Sequence, residues 1–222
     1  MRIELVDDPR VGINIAKRTL YKICDVGTVL FLSGGSTPKP LYKSLAEEVE
    51  LRIGAAAMID DRYSFHQEYS NEPMIKESGF EDFLANQNIP FYKILEFGVG
   101  KGETTKKYNE TVSFLLNHFT KSVGIMGIGE DGHTAGILPG IMQNSEFVQE
   151  FHFPDSQIKD RITLTFKALS MFDLLVVLVF GDEKKNALDL MFSEGSEEEV
   201  PARFYNRKEL DGKVLLITDQ KL

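Results

Sequence analysis

The stretch "GIGEDGHTAGILPG", from Gly127 to Gly140, sets an aspartate and a histidine two residues apart in a frame of glycines. Histidine ordinarily titrates near 6.5, so an imidazole presented by such a loop can take a proton from water at neutral pH. A neighbouring carboxylate can fix its tautomer and raise its basicity. His133 is thus a candidate general base and Asp131 its candidate support, the alternative being a structural histidine satisfied within a turn. Gly127, Gly129 and Gly132 also carry the G-x-G-x-x-G spacing of a dinucleotide-binding turn. That cofactor is disfavoured: Glu130 and Asp131 would meet a pyrophosphate with like charge, and Pro139 and Gly140 interrupt the helix such glycines should open.

Two further loops could bind an anion. In "SGGSTPKP", Gly34 and Gly35 allow a tight turn and close approach of backbone to ligand. Ser36 and Thr37 offer hydroxyls and an N-cap, and Pro38 suits the first position of a helix whose N-H groups would face the anion. The Walker A lysine spacing is absent, so this is a phosphate loop of another kind or a well-capped helix start. In "IDDRY", Asp60, Asp61 and Arg62 stand at a strand end, where Arg62 can grip a phosphate or carboxylate in bidentate fashion with nearby carboxylates holding it in place. A surface ion pair is the alternative there. His66, His118 and His152 have no paired metal-ligand spacing with one another or with His133, so no metal site is expected.

These loops need elements to hold them. "TVLFLS" (28–33), "AAAMID" (55–60), "SVGIMG" (122–127), "RITLTF" (161–166), "LLVVLVF" (174–180) and "KVLLIT" (213–218) are expected strands, most of them continuous apolar runs of the kind covered on both faces. Helical candidates lie between them, around 11–23, 40–51, 104–119 and 183–192. The alternation predicts an α/β fold with a largely parallel central sheet flanked by helices, and ligands in such sheets bind beyond the carboxyl ends of the strands.

The composition sets outer bounds. With 222 residues and 42% hydrophobic content, the chain (1–222) is expected to form a single domain with a sizeable core. A net charge of -9 argues against nucleic acid or an acidic membrane as the main partner, so an anionic substrate must find a local positive pocket. Cys24, the only cysteine, excludes an intrachain disulfide and is expected to be a small buried apolar residue in a reducing compartment. The start "MRIELVDDPR" has no signal-peptide pattern and no apolar run approaches about 18 residues, so the expected location is the cytoplasm. The acidic run "SEGSEEE" (193–199) is expected to be a solvated loop.

"SGGSTP", "DDRY" with Ser70 and Asn71 after it, "GIGEDGHTAGILPG", "RITLT" and "GDEKKNAL" resemble, in order and approximate spacing, the 6-phosphogluconolactonase family, whose superfamily includes the glucosamine-6-phosphate deaminases. The resemblance runs from about Ser33 to Leu188. It implies a modified Rossmann-like fold and hydrolysis of 6-phosphogluconolactone, a phosphorylated sugar lactone, with neither metal nor organic cofactor. It also implies His133 as the base that activates water, Asp131 as its support, and Gly34, Gly35, Ser36, Thr37, Asp60, Arg62 and Lys184 as substrate and phosphate contacts. Lys184 is preferred to Lys185 because the family's lysine falls three residues after the glycine matching Gly181.

The chain departs from the family pattern at Asp61, where Glu is usual, at Tyr63 for a common Trp, at Gly136 for a common Ser, and at Arg203 after "PA", where Ser is frequent. The deaminases resemble this chain but place a glutamate five residues after the histidine to move a proton; that position is Leu138, which cannot. A non-catalytic sugar-phosphate sensor would keep the phosphate loop but would not need the Asp131 and His133 pair.

Overall fold

Short runs of aliphatic residues become the strands of a seven-stranded parallel sheet in the computed structural model, which describes residues 1–64, 69–96, 98–154 and 158–222. The order is β1 (Arg2–Leu5), β10 (Val214–Thr218), β9 (Leu174–Val179), β6 (Lys121–Gly127), β2 (Thr28–Leu32), β3 (Ala55–Met58) and β5 (Phe91–Tyr92). Every pairing in it is parallel. Its central strands read as unbroken apolar runs because both faces are covered: all five residues of β2 and all four of β3 are buried.

The helices that cover it follow from local signals. Asp8 caps α1 (Pro9–Ile23) by accepting from the Arg10 N-H, Pro9 supplies a preset φ in the first turn, and Ile13, Ala16 and Leu20 line the buried stripe. In α5 (Lys101–His118) the buried stripe is Thr104, Tyr108, Val112 and Leu115, and the Tyr108 hydroxyl donates to Met58 O at the end of β3. Each large aliphatic side chain so buried stabilises the fold by about 1.5–3 kcal/mol.

The chain runs from β2 outward to β3 and β5, then returns to β6 on the other side of β2. The strand order therefore reverses between β2 and β6, and a crevice opens beyond their carboxyl ends. The "SGGSTP" loop leaves one of these strands and the "GIGEDGHT" loop the other.

Two expected strands belong elsewhere. "AAAMID" splits: β3 ends at Met58, and after Ile59 the chain enters β4 (Asp60–Arg62) of a second, antiparallel sheet. "RITLTF" becomes β8 (Asp160–Leu164), which lies between β4 and β7 (Val148–His152) in that sheet. The helix expected around 40–51 is α2 (Lys39–Glu48), with Pro38 at the N-cap and not at the first helical position, and Pro40 inside the first turn; among the described residues no side chain caps it, so the hydroxyls of Ser36 and Thr37 are not spent there. The expected 183–192 helix opens with a tight turn at Asp182–Lys184 before α7 (Lys185–Phe192). The acidic run after α7 is largely exposed, as expected, but is tied down by Arg203 to Glu199 and by a two-pronged contact from Arg207 to Glu197. Cys24 is buried, and burial pushes its thiol up to about 12.

Candidate active site

Beyond the ends of β2 and β6 lies a cleft of about 170 Å³. Gly34, Gly35, Ser36, Thr37, Asp60, Arg62, His133 and Lys184 all line it, together with Ser33, Asn71 and Arg161. Of the site residues that the resemblance implied, only Asp131 stands outside the lining, behind the imidazole. Its Oδ1 is 2.5 Å from Nδ1 of His133 and accepts the His133 backbone N-H at 3.1 Å. A carboxylate only accepts, so Nδ1 carries the proton and Nε2 is left with the lone pair. The hydrogen bond from His133 holds the Asp131 carboxyl down at about 2, so it stays charged throughout the working range of pH.

The loop is fixed on several sides. Gly129 N-H donates to His133 O, Gly132 N-H to Gly129 O, and Ala202 N-H to Gly132 O. The Thr134 hydroxyl donates to Gly127 O and pairs with the buried Tyr205 hydroxyl. A side chain at Gly129 would begin 2.0 Å from the His133 ring, so glycine is what allows the imidazole to lie against the backbone. No helix follows Gly132, in keeping with the catalytic rather than the dinucleotide reading of its glycines.

Positive charge converges opposite. Arg62 and Arg161 are direct cross-strand partners of β4 and β8, an arrangement that costs stability when nothing lies between the charges. Arg62 donates to Tyr69 O and Asn71 Oδ1 at 3.3 Å each, so the expected hold by neighbouring carboxylates is corrected: the partners are a carbonyl and an amide. Nε of Arg161 is buried and has no hydrogen-bond partner among the described residues, and burial together with the like charge of Arg62 pushes its guanidinium below the ordinary value. Among the described residues, Arg62, Arg161 and Lys184 form no ion pair, whereas Lys185 is paired with Asp189. At Gly35 the backbone takes φ +96°, which glycine adopts without strain and which turns the loop at the cleft floor.

Strand alternation separates the two aspartates. Asp60 shares the cleft face with Arg62 and accepts from the Asn71 amide; burial raises its pKa, opposed by Arg161, Arg62 and His133. Asp61 points the other way and is fully buried, accepting from the N-H groups of Arg62 and Asn71 and from the Ser70 hydroxyl at 2.7–2.8 Å. It therefore organises the Ser70–Asn71 segment and not the substrate.

Burial pushes the Asp61 carboxyl up to about 7 against those donors. The folded chain then keeps a proton between about pH 4 and 7 that the unfolded chain releases, so this group's stabilisation is complete below about pH 4 and is lost as pH rises through 7. Tm is expected to fall between about pH 5.5 and 7 and to level off above that, and Asp61→Asn to flatten the fall. A parent Tm that is flat or rising across this window would show the carboxylate to be charged.

A family model for glucosamine-6-phosphate isomerases/6-phosphogluconolactonase matches residues 15–216. The chain belongs to this family. The 6-phosphogluconolactonase of Thermotoga maritima is 29% identical over 214 residues, covering 93% of this chain and 94% of that protein. That of Rhizobium meliloti is 27% identical over 213 residues, with 88% and 87% covered. The crystal structure of 6-phosphogluconolactonase from Thermotoga maritima, 25% identical, matches with a TM-score of 0.76 and 98% of each chain covered. The fold is accordingly the α/β one with a parallel central sheet that the strand and helix alternation predicted, and the Rossmann-like one that the resemblance implied.

The departures from the family pattern have local explanations. Arg203 turns away from the cleft to Leu190 O, Ser196 O, Ser193 Oγ and Glu199. The Tyr63 hydroxyl donates to Val99 O, and Gly136 N-H donates to Thr163 Oγ1 where a Cβ would begin 2.9 Å from the Thr163 side chain. Arg161 and Asn71 are among the cleft residues that the loop-by-loop reading left out. Both lay inside quoted motifs, and the signal for Arg161 was its place at the start of an expected strand whose partner was not foreseen. His66 lies outside the described residues. His118 stacks on Phe114, and His152 contacts Asp160. Among the described residues no three His, Cys, Asp or Glu side chains are grouped to hold a metal ion. None of their helices is long and apolar enough to cross a membrane.

Proposed function

We propose that this chain hydrolyses 6-phosphogluconolactone to 6-phosphogluconate in the oxidative pentose phosphate pathway, with His133 as general base. The observation that carries the reading is a carboxylate-held imidazole and three cations with no ion pair among the described residues, all turned to one cleft. The substrate phosphate sits among Arg62, Arg161, Lys184 and the Gly34–Thr37 backbone. Nε2 of His133 takes a proton from water as its oxygen adds to the lactone carbonyl. The ring C–O bond then breaks, the imidazolium returns the proton to the departing ring oxygen, and the new carboxyl group ionises. The phosphate is remote from the carbonyl, so its grip serves mainly to orient the substrate. A free thiol buried at Cys24 agrees with a cytoplasmic setting.

The glucosamine-6-phosphate branch of the family is disfavoured by Leu138, which has no proton to move and is not part of the cleft lining. Lactone opening and ammonia release should be measured side by side on chelator-treated protein, with spontaneous lactone hydrolysis subtracted. Lactone opening is expected at full rate without added metal or nucleotide, and ammonia release from glucosamine 6-phosphate at background. Ammonia release without lactone opening would overturn the assignment, and tight sugar-phosphate binding with neither reaction would make the protein a sensor.

A further inference from the structure

The sheet has two edges, and they differ. At one end β5 is only two residues long, Phe91–Tyr92. At the other, β1 pairs with β10 on one side and with nothing on its other side among the described residues. Val6 N-H donates to Thr218 O, so by the alternation of backbone direction along a strand Arg2 and Glu4 turn their groups towards β10. The N-H and C=O groups of Ile3 and Leu5 are left facing outward. The side chains there are unusual for a bare edge: Ile3 is 40% and Leu5 60% exposed, and Val11 at the start of α1 is also exposed. Open edges with exposed aliphatic side chains are templates for another strand.

The charges say which strand. Arg2 and Glu4 lie on the face opposite Ile3 and Leu5 and are bonded to one another, Nε to Oε1 at 2.8 Å. Read backwards, a positive charge two residues before a negative one becomes negative before positive. An antiparallel copy centred on Ile3 therefore sets each Arg2 against the partner's Glu4, while the two Ile3 residues meet on the other face and exchange two backbone hydrogen bonds.

We infer that a second copy of this chain docks on β1 in this way, joining two seven-stranded sheets into one across a two-fold axis. The strands are short, so the interface is small and association is weak and concentration-dependent. Four positions separate β1 from β2 in the strand order, so the catalytic cleft lies away from the contact and activity is independent of it.

Sedimentation velocity of the full chain, from micromolar to sub-millimolar concentration, is expected to show a monomer–dimer equilibrium. Arg2→Glu and Glu4→Arg should each weaken it by about tenfold or more, because both cross-strand pairs become repulsive. Mixing the two variants in equal amounts should restore a dimer, since one edge then carries two acids and the other two bases. Ile3→Pro should abolish pairing with Tm and activity retained, because the lost N-H faces outward. A parent that stays monomeric throughout, a dimer indifferent to both charge variants, or variants that fail to associate when mixed would each overturn the inference.

Discussion

His133→Asn is expected to lower kcat by about 100-fold or more, with competitive inhibition by 6-phosphogluconate nearly unchanged. Asparagine fills similar space, and its amide can still reach the carboxylate of Asp131, but it has no lone pair basic enough to take a proton from water. General-base assistance is worth about 10²–10⁴ in rate, and the bound phosphate contacts do not involve the imidazole, so the loss falls on kcat and spares binding. Asp131→Asn should fall in the same direction by a smaller factor, because the amide can accept the Nδ1 proton in one orientation but no longer offers a negative charge to the imidazolium that forms. Thermal melts of each variant separate lost chemistry from lost fold. Full activity in His133→Asn would end the role of this residue.

The parts of the site legible in the sequence were those whose chemistry is local. A histidine two residues after an aspartate in a glycine-rich loop needs no distant partner to be recognised, and the structure places the two within one hydrogen bond. Lys184 was set apart from Lys185 only by the family resemblance, whose lysine follows the glycine matching Gly181, and the fold sends Lys184 into the cleft while Lys185 pairs along its own helix. What escaped depended on pairing between distant segments. Asp60 and Asp61 look equivalent in "IDDRY", yet once β4 is extended and flanked by β8, one faces the cleft and the other the protein interior. Arg161 could not be set opposite Arg62 without knowing that 160–164 is an antiparallel strand and not part of the parallel sheet. The polar strand "VQEFH" and the short helices at Glu72–Glu77, Phe80–Asn86 and Phe166–Ser170 were missed for a related reason. They are short, and contacts with larger elements, more than their own periodicity, hold them in place.

Neutralising the cleft cations is expected to separate binding from stability. Lys184→Met and Arg62→Met should each lower kcat/KM by about 10- to 100-fold, chiefly through KM, since a hydrogen bond to a charged group is worth about 1.5–3 kcal/mol and a phosphate remote from the carbonyl is held alike in ground and transition states. Together they should lose less than the product of the single effects, because Arg161 takes up part of the load. Some fall in kcat will accompany this, because a loosely held substrate is also badly aimed at the water on His133. The free protein should behave differently. Lys184 makes no ion pair among the described residues, so its loss removes no such contact, and Arg62 stands opposite a second arginine, so its loss relieves repulsion and offsets the two long hydrogen bonds it gives up. Tm of Lys184→Met should match the parent, and the Tm increment produced by saturating 6-phosphogluconate should shrink in both variants. If that increment and the inhibition constants are unaltered, the phosphate lies elsewhere; if Tm falls steeply without ligand, these side chains hold the fold together and are not reserved for an anion.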